Sequence, residues 1–229
     1  MKTQGGLMLR AVLITCFVLV TVAAIQGQAS ATKGSTASSQ VVLAKTAGPV
    51  GLGRIDAVSA LLFGFTNAEI PGGIVRIVNC YGSEPQVKIP ADASVKQLLE
   101  IVALKVPEYR WRIDDGVVNV IPYTSFPVPL DIRISEFQVE ELSALDALNR
   151  LLDNMQLKQE LQARGLFQGL KLSGGGFPIS KKRITLDLKD STLLEALNAI
   201  VRSDGRAVWG YTLRPCNGRN EYEINLLVH

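Results

Sequence analysis

The chain has 229 residues, 47% hydrophobic and 20% charged, with a formal net charge of +3. That is globular composition with room for one or two small domains, and it excludes a low-complexity or collagen-like chain. Setting aside Lys2 and Arg10 leaves 22 basic against 21 acidic residues, too even a balance for the basic stripe that phosphate binding needs, so no nucleic-acid partner is expected.

The N-terminus reads as a secretory signal peptide, residues 1–31. Lys2 and Arg10 form a basic start, Ala11 to Ile25 is an uncharged run of 15 residues, and Ala29-Ser30-Ala31 is an A-x-A site that places cleavage after Ala31. The run is shorter than the ~20 residues a spanning helix needs, so no stable membrane span is expected after cleavage. Cys16 lies inside this run and reads as an ordinary apolar-region cysteine. The address is periplasmic or secreted.

Residues 32–53 form a Gly/Ser/Thr-rich leader, expected to be flexible or loosely docked. From Arg54, Ile55, Val58, Leu61, Leu62 and Phe65 predict a short helix that Pro71-Gly72-Gly73 breaks, and Gly73 to Cys80 is β-rich. Val87 and Ile89 alternate as a strand. Ser94 can cap a helix whose apolar face is Val95, Leu98, Leu99 and Val102, and Pro107 ends it. Tyr109, Trp111 and Ile113 then alternate with Arg110 and Arg112, Asp115-Gly116 turns the chain, and Val117 to Ile121 returns. This βαββ unit closes a first module, residues 54–123.

A linker at 124–129, inside the proline-bounded stretch Pro122 to Pro129, leads to a second module, residues 130–229. Leu130 to Ile134 alternates as a strand. Leu142, Leu145, Leu148, Leu152 and Met155 make a helical stripe, and Gln156 to Gly169 adds a turn or short helix. Leu172 to Ser180, with Gly174-Gly175-Gly176, reads as a loop, and Lys181-Lys182-Arg183 as a solvated run before a strand. Leu186 and Leu188 open a second βαββ unit. Asp190, Ser191 or Thr192 can cap its helix, whose face is Leu193, Ala196, Leu197 and Ile200; Asp204-Gly205 stops it. Trp209, Tyr211 and Leu213 alternate outward, Asn217-Gly218 turns, and Tyr222, Ile224, Leu226 and Val228 alternate back. Val95 and Leu193, Leu98 and Ala196, Leu99 and Leu197, Val102 and Ile200, and the two tryptophans, Trp111 and Trp209, are each 98 positions apart. One register for all of them indicates duplication.

The segments SVKQLLEIV…YRWRIDDGVVNVIP and ITLDLKDSTLLEALNAIV resemble the secretin and TonB short N-terminal domain and related βα modules of secretin periplasmic regions. The resemblance covers residues 87–121 and 184–228 and implies docking units that assemble or contact envelope partners and carry no catalytic residues. No secretin or TonB-dependent barrel follows the module, so it implies a free-standing exported protein.

The residues offer little chemistry. His229 is the one histidine, at the last position, and there is no C-x-x-C, so no catalytic residue, metal site or cofactor is expected. Asp114-Asp115 reads as turn chemistry and Glu140-Glu141 as the first turn of a helix. Gly174-Gly175-Gly176 lacks the following helix of a phosphate loop. Trp111 and Trp209, with Tyr109 and Tyr211, could form a stacking surface; their alternation favours the core. Cys80 and Cys216 could form a disulfide in an oxidising compartment, a pairing that spacing leaves open. The expectation is therefore an α+β protein of two tandem small modules, each a short sheet packed on one face by helices. Its expected role is non-enzymatic docking to an envelope protein, with Gly73–Asn79 and Glu221–Val228 as candidate edge strands. The alternative is a small-ligand or glycan binder using a cleft between modules.

Overall fold

The computed structural model describes residues 40–48, 54–78, 84–123, 128–169, 181–216 and 218–227. The expected signal peptide with its expected cleavage after Ala31, Cys80, Gly174-Gly175-Gly176 and His229 lie outside the described residues. The class is α+β, and both halves run through the same series. The first is β1 (Ile55–Asp56), α1 (Ala57–Asn67), β2 (Gly72–Ile77), β3 (Gln86–Val87), α2 (Val95–Lys105), β4 (Tyr109–Asp114) and β5 (Val117–Pro122). The second, after a 3-10 turn at Pro129–Asp131, is β6 (Arg133–Leu142), α3 (Ala144–Leu152), α4 (Met155–Ala163), β7 (Leu166–Gln168), β8 (Ile184–Thr192), α5 (Leu193–Asp204), β9 (Val208–Cys216) and β10 (Arg219–Leu227).

Pairing repeats as faithfully as order. β1 lies antiparallel to β3, and β6 to β8. Each C-terminal helix leads into an antiparallel hairpin, β4–β5 or β9–β10. Each hairpin's return strand takes a parallel neighbour: Gly72 sits opposite Val118, and Leu166 opposite Asn220. Both partners are the second residue of their return strand. The repeat is thus one of topology; Leu166 and Asn220 are not the residues 98 positions on from Gly72 and Val118, so the strand register is not carried by that spacing.

The halves do not keep separate sheets. β2 lies parallel to β9, from Gly72 opposite Val208 to Ile77 opposite Leu213, which fuses them into one sheet of order β4-β5-β2-β9-β10-β7. This corrects the expected edges. The described part of Gly73–Asn79 is β2, between β5 and β9, and that of Glu221–Val228 is β10, between β9 and β7. Alternation along a strand reports which faces are buried; it does not report which neighbour lies beside it, and both strands gained a parallel neighbour from far along the chain. Among the described residues the ends of the sheet are β4 and β7.

Each half's helices cover one face, and the two halves use opposite faces. Phe65, Leu61, Leu98, Leu99 and Val102 of α1 and α2 pack with Ile74, Val118, Val120 and Val208. Leu148, Leu151, Leu197 and Ile200 of α3 and α5 pack with Val75, Val117, Trp209, Tyr211 and Ile224. Neighbours in sequence, Ile74 and Val75 or Val208 and Trp209, therefore enter different cores. Strands buried on both faces read as apolar runs rather than alternations, which suits GGIVRI in β2 and VVNV in β5.

The predicted caps form. Ser94 and Gln97 make a capping box at α2, and Thr192 and Glu195 make one at α5, with Gly205 at φ 95° closing α5. The Thr192 backbone amide, then its hydroxyl, hold the Glu195 carboxyl below its ordinary range. A lowered folded pKa means the carboxylate's contribution is full above the ordinary glutamate value and fades as pH falls through the folded one. Thr192→Ala is expected to cost about 1 kcal/mol at neutral pH. The gap from the parent chain should narrow in acid, measured by urea unfolding across the acidic range.

Other expectations shift by local geometry. Leu130 belongs to the 3-10 turn, and the strand starts at Arg133. Glu140 and Glu141 do not open a helix; they end β6 beside a register shift between Val139 and Leu142, with Glu141 at φ 51°, and Ser143 caps α3. The stripe from Leu142 to Met155 breaks where Asn154 caps α4, leaving Met155 exposed. In the leader, residues 45–47 are docked: Ala47 N–H donates to the Ala93 carbonyl at 2.8 Å, and the Ala47 side chain is fully buried.

Candidate functional site

Three features of the structure are concave, charged or unpaired enough to be functional. The first is a groove of about 810 Å³ between the β4–β5 hairpin, the 3-10 turn and α5, with Ile113, Ile121, Leu130, Leu188 and Leu194 on its walls. It corresponds to the cleft between halves that a small ligand would use. Its charges are already committed. Arg112 Nε lies 2.7 Å from Asp114 Oδ2, Arg202 Nη1 is 3.0 Å from Asp115 Oδ2, and Arg164 Nη1 is 2.6 Å from Asp131 Oδ1. Glu195 is engaged in its capping box. The Arg202–Asp115 pair ties α5 to the tight turn of the other half's hairpin, where Asp115 and Gly116 both have positive φ, as a two-residue hairpin turn requires.

The second feature is a charged cluster under β2. Asp56 caps α1, accepting from Ser59 N–H at 2.8 Å, and Arg76 pairs with Glu84. Burial pushes the Glu84 carboxyl up, against the pull of Arg76. Burial, then the Glu84 charge, pushes the Tyr109 phenol up to about 12, so Tyr109 stays protonated at neutral pH and is no base. No spacing rule links positions 56, 76, 84 and 109, so this group leaves no local pattern to read. Each member has a structural partner; there is no nucleophile-and-base pair among them.

The third feature is the two ends of the sheet. In β4 the register with β5 starts from the Asp114–Val117 pair flanking the two-residue turn. In such a hairpin that pair exchanges hydrogen bonds and alternate pairs do so thereafter. Asp114, Arg112 and Arg110 therefore bond to β5, while the backbone groups of Ile113 and Trp111 and the Tyr109 carbonyl point away from the sheet; the Tyr109 N–H donates to the Val106 carbonyl at 2.9 Å. In β7, Gly169 N–H donates to the Tyr222 carbonyl at 2.8 Å. Parallel strands alternate the neighbour they bond, so Phe167 also faces β10 and the backbone groups of Leu166 and Gln168 point outward. β7 carries Phe167, 39% exposed with the Arg219 guanidinium over its ring.

The aromatic residues divide by strand position. Trp209 and Tyr211, in an interior strand, are fully buried, and Trp209 Nε1–H donates to Asn198 Oδ1 at 2.9 Å. Trp111 and Tyr109, in the end strand, are half-buried against the core of α1 and α2. Both tryptophans thus lie toward the helices of their own half. Lys182 of the basic run reaches the Asp204 carbonyl at 3.0 Å, a cation at a helix C-terminus. Cys216 ends β9 and is disulfide-bonded. Among the described residues no cluster of His, Cys, Asp and Glu is placed to hold a metal, and no helix is long and apolar enough to cross a membrane. No family model, curated protein or solved structure matches the chain.

Proposed function

We propose that the protein is an exported, non-enzymatic docking module of the cell envelope, which takes up an extended segment of a protein partner along β4. The observation that carries this reading is the position of β4, Tyr109–Asp114, at the end of a six-stranded sheet with one row of backbone donors and acceptors facing outward. Such a row binds a strand by backbone hydrogen bonds, and the side chains beside it set the choice. The resemblance to secretin-type periplasmic modules, which dock, and the signal-peptide pattern support the same role and place. The groove supports the rival small-ligand reading less well, because its charges are spent on one another.

An immobilised chain is expected to retain an envelope protein from a detergent extract. Ile113→Pro removes an outward N–H without touching the β5 ladder, and should cut retention at least tenfold. Ile113→Ala, which keeps that N–H, should retain it. Equal retention by Ile113→Pro, or none by the parent chain, would sink the proposal.

A further inference from the structure

We propose that copies of this chain join head to tail, β7 of one copy lying parallel to β4 of the next and repeating the joint that β2 and β9 already make within one chain. The inference rests on the docking reading above and names the partner as a second copy.

The joint between the halves is not symmetric. β9 is the counterpart of β4, the first arm of the hairpin after the C-terminal helix; β2 is the counterpart of β7, the strand parallel to the return arm. The β2–β9 contact therefore brings together two different kinds of edge. Among the described residues the same two kinds of edge stand without a further strand at the ends of the sheet, β4 at one and β7 at the other. A contact between unlike surfaces, each left free once, propagates from copy to copy.

Hydrogen-bond parity agrees. Within the chain Gly72 faces Val208 and Gly73 faces Trp209. Gly72 N–H donates to the Ala207 carbonyl and Val78 N–H to the Leu213 carbonyl, so even residues of β2 bond to odd residues of β9. Counted from the hairpin turns, Leu166 and Gln168 correspond to Gly72 and Ile74; the 98-residue count places the counterparts four positions further on, so the two alignments agree in parity and not in register. The 98-residue repeat makes Tyr109, Trp111 and Ile113 the counterparts of Ala207, Trp209 and Tyr211. These are the residues whose backbone groups, the Tyr109 N–H apart, point outward from β7 and from β4.

Faces agree as well. Trp209 points toward its own half's helices, and β2 meets it with the face turned away from α1 and α2. In the next joint Trp111 lies toward α1 and α2, and β7 would meet it with the face turned away from Leu166, which is buried toward the helices of its own half. Helices of successive halves alternate between faces, so the bundles of adjoining copies do not compete for one side of the sheet.

Light-scattering mass of the purified chain is expected to rise at least twofold from low to high micromolar concentration. Gln168→Pro and Ile113→Pro, each blocking one end, should remain monomeric alone. Mixed together they should give a one-to-one dimer and nothing larger, because each keeps the end the other lacks. Gln168→Ala and Ile113→Ala should assemble as the parent does. Circular dichroism checks folding. Should Ile113→Pro fail to fold, amide exchange of the parent decides without it: Trp111 and Leu166 amides gain protection with concentration. A parent chain monomeric throughout, or a Gln168→Pro chain that dimerises alone through paired β4 strands, would overturn the proposal. A monomeric parent that still retains an envelope protein in an Ile113-dependent way would overturn this inference and leave the docking reading standing.

Discussion

Trp209→Ala is expected to cost about 3–5 kcal/mol of stability, the range for removing a buried aromatic side chain. The residue is fully buried in an interior strand and packs in the core formed by α3, α5 and the sheet. Its ring lies across Gly73, where a Cβ would come within 2.0 Å of the ring atoms. Truncation therefore empties space at the joint between the halves and also leaves Asn198 Oδ1 without its donor. Trp209→Phe keeps most of the volume and isolates that hydrogen bond, at about 1–3 kcal/mol for an orphaned buried acceptor. Trp111→Ala should cost distinctly less, since Trp111 is half-buried on an end strand. Gly73→Ala should cost about 1–3 kcal/mol by overpacking. Much of that penalty should vanish beside Trp209→Ala, because the ring it collides with is gone. Equilibrium denaturation of the set measures all four effects; equal costs for the two tryptophans would contradict the assignment of interior and end strands.

The difference between Trp111 and Trp209 also marks what the sequence can convey. Both tryptophans sit in period-2 strands after a capped helix, and that pattern placed both toward their own helices. The caps at Ser94 and Thr192, the Asp115-Gly116 turn and the repeat spacing were legible because each is set by residues a few positions apart. The β2–β9 joint depends on residues more than 130 positions apart in the chain. Its one local trace is the Gly72-Gly73 pair, which reads as a helix breaker but serves as the floor under Trp209 and against Phe65. Missing that joint misplaced the edges, so the surface now proposed for docking moved from β2 and β10 to β4 and β7. The break at Asp153-Asn154 was missed for a different reason: the apolar stripe continues in phase across it, and only the capping side chain of Asn154 marks the end of one helix and the start of another.

Reducing the protein is expected to lower its stability by about 5 kcal/mol on the chain-entropy estimate for a loop of well over 100 residues. For a chain of this size that is roughly a 10–20 °C fall in melting temperature. Cys216 is disulfide-bonded, and the cysteines that could bond it are Cys16 and Cys80. Cys16 lies in the segment expected to be removed on export. Cys80, the remaining candidate, lies outside the described residues. Cys80→Ser, Cys216→Ser and the double variant should therefore lose the same amount as chemical reduction. A non-reducing peptide map should join the Cys80 and Cys216 peptides. A Cys80→Ser chain that keeps full stability and a bonded Cys216 would assign the bond to Cys16 instead. The bond fastens the chain at Cys216, the last residue of β9, the strand that joins the halves through β2. That arrangement endures only in an oxidising compartment. The same chain kept in a reducing one should show its lower melting temperature and a β2–β9 ladder whose amides, Val78 first, exchange faster.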